Sequence, residues 1–178
     1  YTISYNGEIY NYKAIRSELE ALGIGFTTDS DTEVLLHAWI HWREACLDKC
    51  RGMFAFAIYD NKTQRLSIVR DRVGVKPLYW YQHNGLFMFA SELKAFQMHP
   101  QFDSTLSEDA ISLFLNYGYI KSPLSIFKFV RKLTPGCILE FDMSQNLTIR
   151  PYWSYKHYLS DAVESRDEND ILNDLESR

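Results

Sequence analysis

Residues 4–23, SYNGEIYNYKAIRSELEALG, carry the reading that decides the fold, and that reading turns on Asn6-Gly7. Asn-Gly is the commonest two-residue connection between antiparallel strands, because both residues accept positive φ, so the dipeptide alone reads as a hairpin tip. The residues after it argue otherwise. Tyr12, Ile15, Leu19 and Leu22 recur at helical spacing, with Lys13, Arg16, Glu18 and Glu20 interleaved as a solvated face. Asn11 stands where an N-cap belongs, and Gly23 and Gly25 supply the stop. Only Glu8-Ile9-Tyr10 is left for a second hairpin arm, whereas Thr2-Ile3-Ser4-Tyr5 alternates as a half-buried strand should. The expected order is strand, sharp bend at Asn6-Gly7, short extended step, helix. Such a bend turns backbone N–H groups and the Asn6 amide outward, where they suit an anionic partner.

Outward from this stretch, Ser30-Asp31-Thr32-Glu33 has the form of a capping box and opens a second helix through VLLHAWIHW, with Leu35, Ala38, Trp39 and Trp42 as its buried stripe. His37 and His41 share one face at a metal-ligand spacing, but no third ligand stands at a partner spacing, so they read as ordinary helix residues. Cys46 and Cys50 read as small packing residues. From Gly52 to Ala90 the period changes to strands: MFAFAIY (53–59), RLSIVR (65–70), PLYWYQ (77–82) and, after Asn84-Gly85, LFMFA (86–90). This reads as an antiparallel meander. MFAFAIY is apolar on both faces, which calls for a sheet covered twice, by helices on one side and a second sheet on the other. The charged connection Arg70–Pro77 reads as a solvated loop. Ser91 stands as N-cap of a short helix, and Thr105-Leu106-Ser107-Glu108 opens another, with Ile111, Phe114 and Leu115 inward and Gly118 at its end. Pro135-Gly136 turns into CILEF (137–141), paired with NLTIRPYW (146–153).

The composition sets the class. A chain of 178 residues, 46% hydrophobic and 15% aromatic, is long enough for one domain with a substantial core. Its net charge of −4 is uneven, because residues 161–178 hold seven acids against two arginines. No basic patch points to nucleic acid, and no apolar run or signal pattern points to a membrane. Three cysteines, Cys46, Cys50 and Cys137, make no disulfide framework and favour a reducing, cytoplasmic setting. After Trp153 the charge rises, and Ile171, Leu172 and Leu175 give residues 168–178 a weak helical stripe leading toward another domain. The chain begins at Tyr1, inside a strand-like alternation, as part of a longer protein would.

Taken in order, YNGEIYNY, SDTEVLLHAW, RGMFAFAIYD, RDRVGVKPLYW, ASELKAF and LTPGCILEF resemble the glutamine-hydrolysing domain of asparagine synthetases. That domain is a class II glutamine amidotransferase with the N-terminal-nucleophile hydrolase fold. The resemblance covers residues 1–155 and implies an α+β, four-layer αββα sandwich of two antiparallel sheets between helices, incomplete at its N-terminus. It implies L-glutamine as substrate, with Asn6 and Gly7 as oxyanion-hole donors and Asn6, Gly7, Glu8 and Asp31 around the bound glutamine. The family's nucleophile is a cysteine at the mature N-terminus, and an arginine binds the glutamine carboxylate. Both would precede Tyr1, and none of Cys46, Cys50 or Cys137 matches that cysteine, so the chain alone is expected to be inactive. Residues 156–178 resemble the approach to the family's synthetase domain, whose SGG.DS phosphate motif is absent here. ATP and Mg²⁺ belong to that domain, and no cofactor or metal is expected in residues 1–155. The expected partners are therefore glutamine, the missing N-terminal segment and the C-terminal synthetase domain, with a homodimer also open.

Three functions are open to these residues. One is a glutaminase serving asparagine synthesis from aspartate, glutamine and ATP. Another is a glutaminase serving a different acceptor, such as a carboxylate on a surface sugar. The third is a non-catalytic remnant that binds an amino acid or a partner.

Overall fold

The strand β2 (Gly52–Asp60) organises the molecule because its two faces are apolar in different ways. Phe54, Phe56 and Ile58 point to one side, and Ala55 and Ala57 to the other. The large side chains meet three helices, α1 (Tyr12–Ala21), α2 (Asp31–Trp42) and α3 (Cys46–Lys49), through Ile15, Leu19, Leu35, Ala38, Trp39 and Leu47. Trp39 sets its ring edge to face with Phe56 at 5.6 Å. The small alanines let a second sheet approach closely. The computed structural model describes residues 1–156 and Leu172. The acidic segment 156–178 and its helical stripe at Ile171, Leu172 and Leu175 therefore fall almost wholly outside the described residues.

The first sheet runs β1 (Thr2–Ile9), β2, β3 (Arg65–Arg70), β7 (Cys137–Asp142) and β8 (Leu147–Pro151), all antiparallel. The second runs β5 (Leu86–Ala90), β4 (Tyr79–His83) and β6 (Val130–Lys132). Leu78, Trp80, Phe87 and Phe89 fill the space between the sheets against Ala55, Ala57, Ile68 and Leu139, with Phe87 stacked on Phe141 at 4.1 Å. The outer face of the second sheet, Tyr81 and Val130, is covered by Phe96 of α4 (Leu93–Phe96) and by Phe127. The two-sided cover expected from MFAFAIY is thus present, and the class is α+β, with helices outside two antiparallel sheets.

Four local expectations are corrected. The Asn6-Gly7 bend is absent, since β1 runs straight through it and pairs Asn6 with Ala55 and Gly7 with Phe54. The meander is two hairpins in different sheets, because β3 pairs with β7 and the chain crosses to the second sheet between Arg70 and Leu78. That crossing is not a solvated loop: Asp71 is 1% exposed and accepts the N–H groups of Val73, Val75 and Lys76, while the Arg70 guanidinium caps the carbonyls of Gly74, Lys76 and Leu133. The charge folds the loop from within. Finally, α5 (Glu108–Tyr117), capped by Ser107 on Ala110 N, buries only Ala110, and leaves Phe114 53% and Leu115 78% exposed.

Candidate functional site

Among the described residues β1 is an edge strand, with β2 on one side and no strand on the other. Side chains alternate along it. Ile3, Tyr5 and Ile9 face the helices, whereas Asn6, opposite Ala55, faces the second sheet. Backbone direction alternates too. The N–H of Tyr10 donates to Arg51 O, on the β2 side, and the N–H of Ile9 donates away from β2, to Asp31 Oδ2 at 3.0 Å. Two residues back, the Gly7 N–H therefore also points off the open edge. The sharp bend is unnecessary, because the edge of the sheet itself presents the donor. Gly7 is required for another reason: a Cβ there would lie 2.3 Å from Met53 O and 2.7 Å from Phe54 Cα.

Asp31 reaches this edge from the first turn of α2. Its Oδ2 accepts the Tyr5 hydroxyl at 2.8 Å as well as Ile9 N. Burial, together with the bond to Asp31, pushes the Tyr5 hydroxyl well above the ordinary tyrosine value, so it remains a donor. The start of α2 is held twice. Ser30 Oγ accepts Thr32 N, and Glu33 takes the N–H and hydroxyl groups of both Thr27 and Thr28. The expected capping box is thus only half made, since Glu33 ties down the preceding loop instead of Ser30 N. The hydrogen bonds from Thr28 and Thr27 draw the Glu33 carboxyl down to about 2.

A cavity of about 360 Å³ opens at this edge, lined by Gly7, Glu8, Tyr10, Tyr12, Ser30 and Asp31 among others. Glu8 comes from the face of β1 shared with Asn6, and Asp31 from the helix side, so the two carboxylates stand on either side of the edge strand. Asn6 lies just beyond, beside a smaller cleft of about 110 Å³ that Ser91 shares, and its Nδ2 donates to Ser91 Oγ at 3.0 Å. Of the four residues expected at the site, Gly7, Glu8 and Asp31 therefore share one cavity and Asn6 adjoins it. Ser91 is not the cap of α4, whose N-cap is Glu92. Its contact with Asn6 spans 85 positions, which local patterning cannot register. Asn11, expected as a side-chain cap of α1, instead donates to Lys49 O and accepts Arg51 N, stitching the chain after β1 to the start of β2.

The other titratable groups stand apart. Cys46, Cys50 and Cys137 are buried and unpaired by disulfides. The hydrogen bond to Cys50 and burial push the Cys46 thiol up, burial does the same to Cys137, and Cys50 moves down through the Cys46 bond despite its burial. His37 lies 3.9 Å from Glu33 and edge-on to Phe26. Among the described residues no group of three or more His, Cys, Asp or Glu could hold a metal ion, and no helix is long and apolar enough to cross a membrane. A second polar cavity, about 270 Å³, lies toward the far end of β2, where Arg43, Arg65 and Arg150 balance Glu44, Asp60 and Glu140.

Residues 1–153 match a family described as glutamine amidotransferase domain. The chain belongs to this glutamine amidotransferase family. It is similar to glutamine-hydrolyzing asparagine synthetase 3 of Bacillus subtilis, 39% identical over 175 residues that make up 98% of this chain and 27% of that protein. Glutamine-hydrolyzing asparagine synthetase 1 of the same organism is 39% identical over 153 residues, 86% of this chain and 24% of that protein. The amidotransferase chain thus spans about a quarter of the length of these curated relatives. Among solved structures, glutamine phosphoribosylpyrophosphate amidotransferase from B. subtilis, complexed with ADP and GMP, superposes with a TM-score of 0.61 at 22% identity, over 85% of this chain and 29% of that one. That likeness shows the fold alone, two antiparallel sheets with helices outside them.

Proposed function

We propose that residues 1–155 bind L-glutamine at the open edge of β1 and promote its hydrolysis to glutamate and ammonia, for use in the ATP-dependent amidation of aspartate to asparagine. The observation that carries this reading is the meeting of Glu8, Asp31 and the outward Gly7 N–H around one cavity of about 360 Å³, with the Asn6 amide beside it. Two carboxylates suit an α-ammonium group, and outward amides suit an oxyanion. Glutamine carries both needs at opposite ends. Its ammonium belongs between Glu8 and Asp31, and its side-chain carboxamide toward Asn6 and the Gly7 N–H.

Attack of a thiolate on the carboxamide carbon places negative charge on its oxygen, where Asn6 and Gly7 donate. Ammonia then leaves with a proton, and water hydrolyses the thioester to glutamate. The buried Cys46, Cys50 and Cys137 do not line this cavity, and the thiol is assigned by similarity to the family's N-terminal cysteine, without which the domain is expected to release no glutamate. The acceptor is assigned by similarity to the asparagine synthetases. ATP and Mg²⁺ are assigned to a synthetase domain beyond residues 156–178. Asp31→Asn and Glu8→Gln, made in the enzyme that carries this domain, test the reading. A charge-assisted bond to an ammonium predicts that each raises KM for glutamine by about ten- to hundredfold, with little change in melting temperature. A large fall in melting temperature with unchanged KM would remove both carboxylates from the site.

A further inference from the structure

We propose that Tyr5 is a positioning residue for Asp31, fixing one carboxylate oxygen so that the other is presented to the α-ammonium group of glutamine. This rests on the assignment of Asp31 to glutamine made above. Tyr5 lies on the helix-facing side of β1 with its half-buried ring packed against the core formed with α1 and α2, and its hydroxyl stops at Asp31. The Tyr5 hydroxyl and the Ile9 N–H both donate to Oδ2, at 2.8 Å and 3.0 Å. These donors stand four residues apart on one strand and converge on one oxygen, so the carboxylate plane is tied to β1 as well as to α2. Neither donor uses Oδ1. An Asp at the first turn of a helix otherwise turns freely about its terminal torsion. Here that freedom is removed before substrate arrives, which lowers the ordering cost of binding.

The chemistry at Tyr5 suits a donor and no other role. Its hydroxyl is kept protonated by burial and by the carboxylate it serves, so it neither gives up a proton to substrate nor carries charge. It also lies on the opposite face of β1 from Asn6, away from the carboxamide end. Its effect should therefore fall on recognition of the ammonium group and leave the chemical step alone.

The test uses Tyr5→Phe in the enzyme that carries this domain, because phenylalanine keeps the ring in its packing and removes only the hydroxyl. The substrates are L-glutamine and 4-carbamoylbutanoate, which is glutamine without its α-amine. Loss of one hydrogen bond to a charged group predicts a KM for glutamine raised about threefold to tenfold. It predicts kcat within about twofold, and an unchanged kcat/KM for the amine-free analogue. Added to Asp31→Asn, Tyr5→Phe should cause no further loss, since the group it positions is already altered. An unchanged glutamine KM in Tyr5→Phe, where Asp31→Asn raises it, would overturn the positioning role and leave the assignment of Asp31 standing. An equal loss on both substrates would make Tyr5 a residue of the fold. No effect from Asp31→Asn would overturn the glutamine assignment itself and this inference with it.

Discussion

Asn-Gly occurs at residues 6–7 and again at 84–85, and the two copies share no conformation. At 84–85 it is the tip of the β4–β5 hairpin, with φ of 49° and 76° and His83 paired to Leu86 across it. At 6–7 it is extended strand, registered against Ala55 and Phe54. The difference lies in what the flanks can pair with. Residues 79–83 and 86–90 are matching apolar arms that find each other. Residues 2–5 and 8–9 are both claimed by β2, a longer strand beyond α1, α2 and α3 in the chain that is apolar on both faces. At 85 glycine serves a left-handed turn, and at 7 it serves a close backbone approach. The same two letters build a connection in one place and line a candidate site in the other.

Substitutions at the two copies sharpen this contrast. The largest expected effect is on catalysis. In the enzyme that carries this domain, Asn6→Ala should lower kcat for glutamine hydrolysis by about 10²–10³, or about 2.7–4 kcal/mol, and spare synthesis from free ammonia. Asn84→Ala should leave hydrolysis as it is. Equal losses in the two variants would break the comparison.

Next come the glycines, read by urea denaturation of the chain. Gly7→Ala sets a Cβ against the backbone of Met53 and Phe54 and should destabilise by about 3 kcal/mol. At Gly85, where the nearest atom to a new Cβ is 3.7 Å away, only the left-handed backbone resists, at about 1–2 kcal/mol. A smaller loss at residue 7 than at residue 85 would contradict the strand register. Smaller again is Ser91→Ala, which frees the Asn6 amide from its partner and should lower kcat by about threefold to tenfold without moving the glutamine KM. Unchanged turnover would reduce the Asn6–Ser91 bond to a resting contact.

The smallest effect is a local one with pH. The Glu33 carboxyl is held down at about 2, below its ordinary 4.5. Its contribution is therefore complete above the ordinary value and is lost as pH falls toward 2. Protection of the Thr27 and Thr28 amides from exchange, corrected for intrinsic rate, should fall through that window. The 84–85 turn, held by backbone pairing, should not respond. Constant protection at Thr27 would mean that Glu33 does not hold the loop before α2.

These contrasts also mark what could be read from the residues. The sandwich was legible because Phe54, Phe56 and Ile58 alternate with Ala55 and Ala57, and a strand apolar on both faces needs two covers. The helices at 12–21 and 31–42 were legible from their stripes. The bend expected at Asn6-Gly7 gives way to extended strand because the pairing demand of a distant β2 outweighs local turn chemistry. The strand β6, three residues reading VRK, carries too little pattern to find. Asp71 and Arg70 looked solvated because charge marks loops, yet here their hydrogen bonds replace water. Ile111, Phe114 and Leu115 sit at helical spacing on α5, yet Phe114 and Leu115 have no described element to bury them. At the site, the residue identities came from resemblance. The tie from Asn6 to Ser91 and the convergence of Tyr5 and Ile9 on Asp31 needed the tertiary structure.

The most direct measurement is a titration of the isotope-labelled chain with L-glutamine, monitored by amide NMR. The account predicts saturable shifts at Gly7, Glu8, Ile9 and Asp31, where the edge of β1 meets α2, and none at Gly85. Shifts confined to the far cavity at Ser67 and Glu140, or a β1 edge that stays silent while glutamine binds elsewhere, would contradict it.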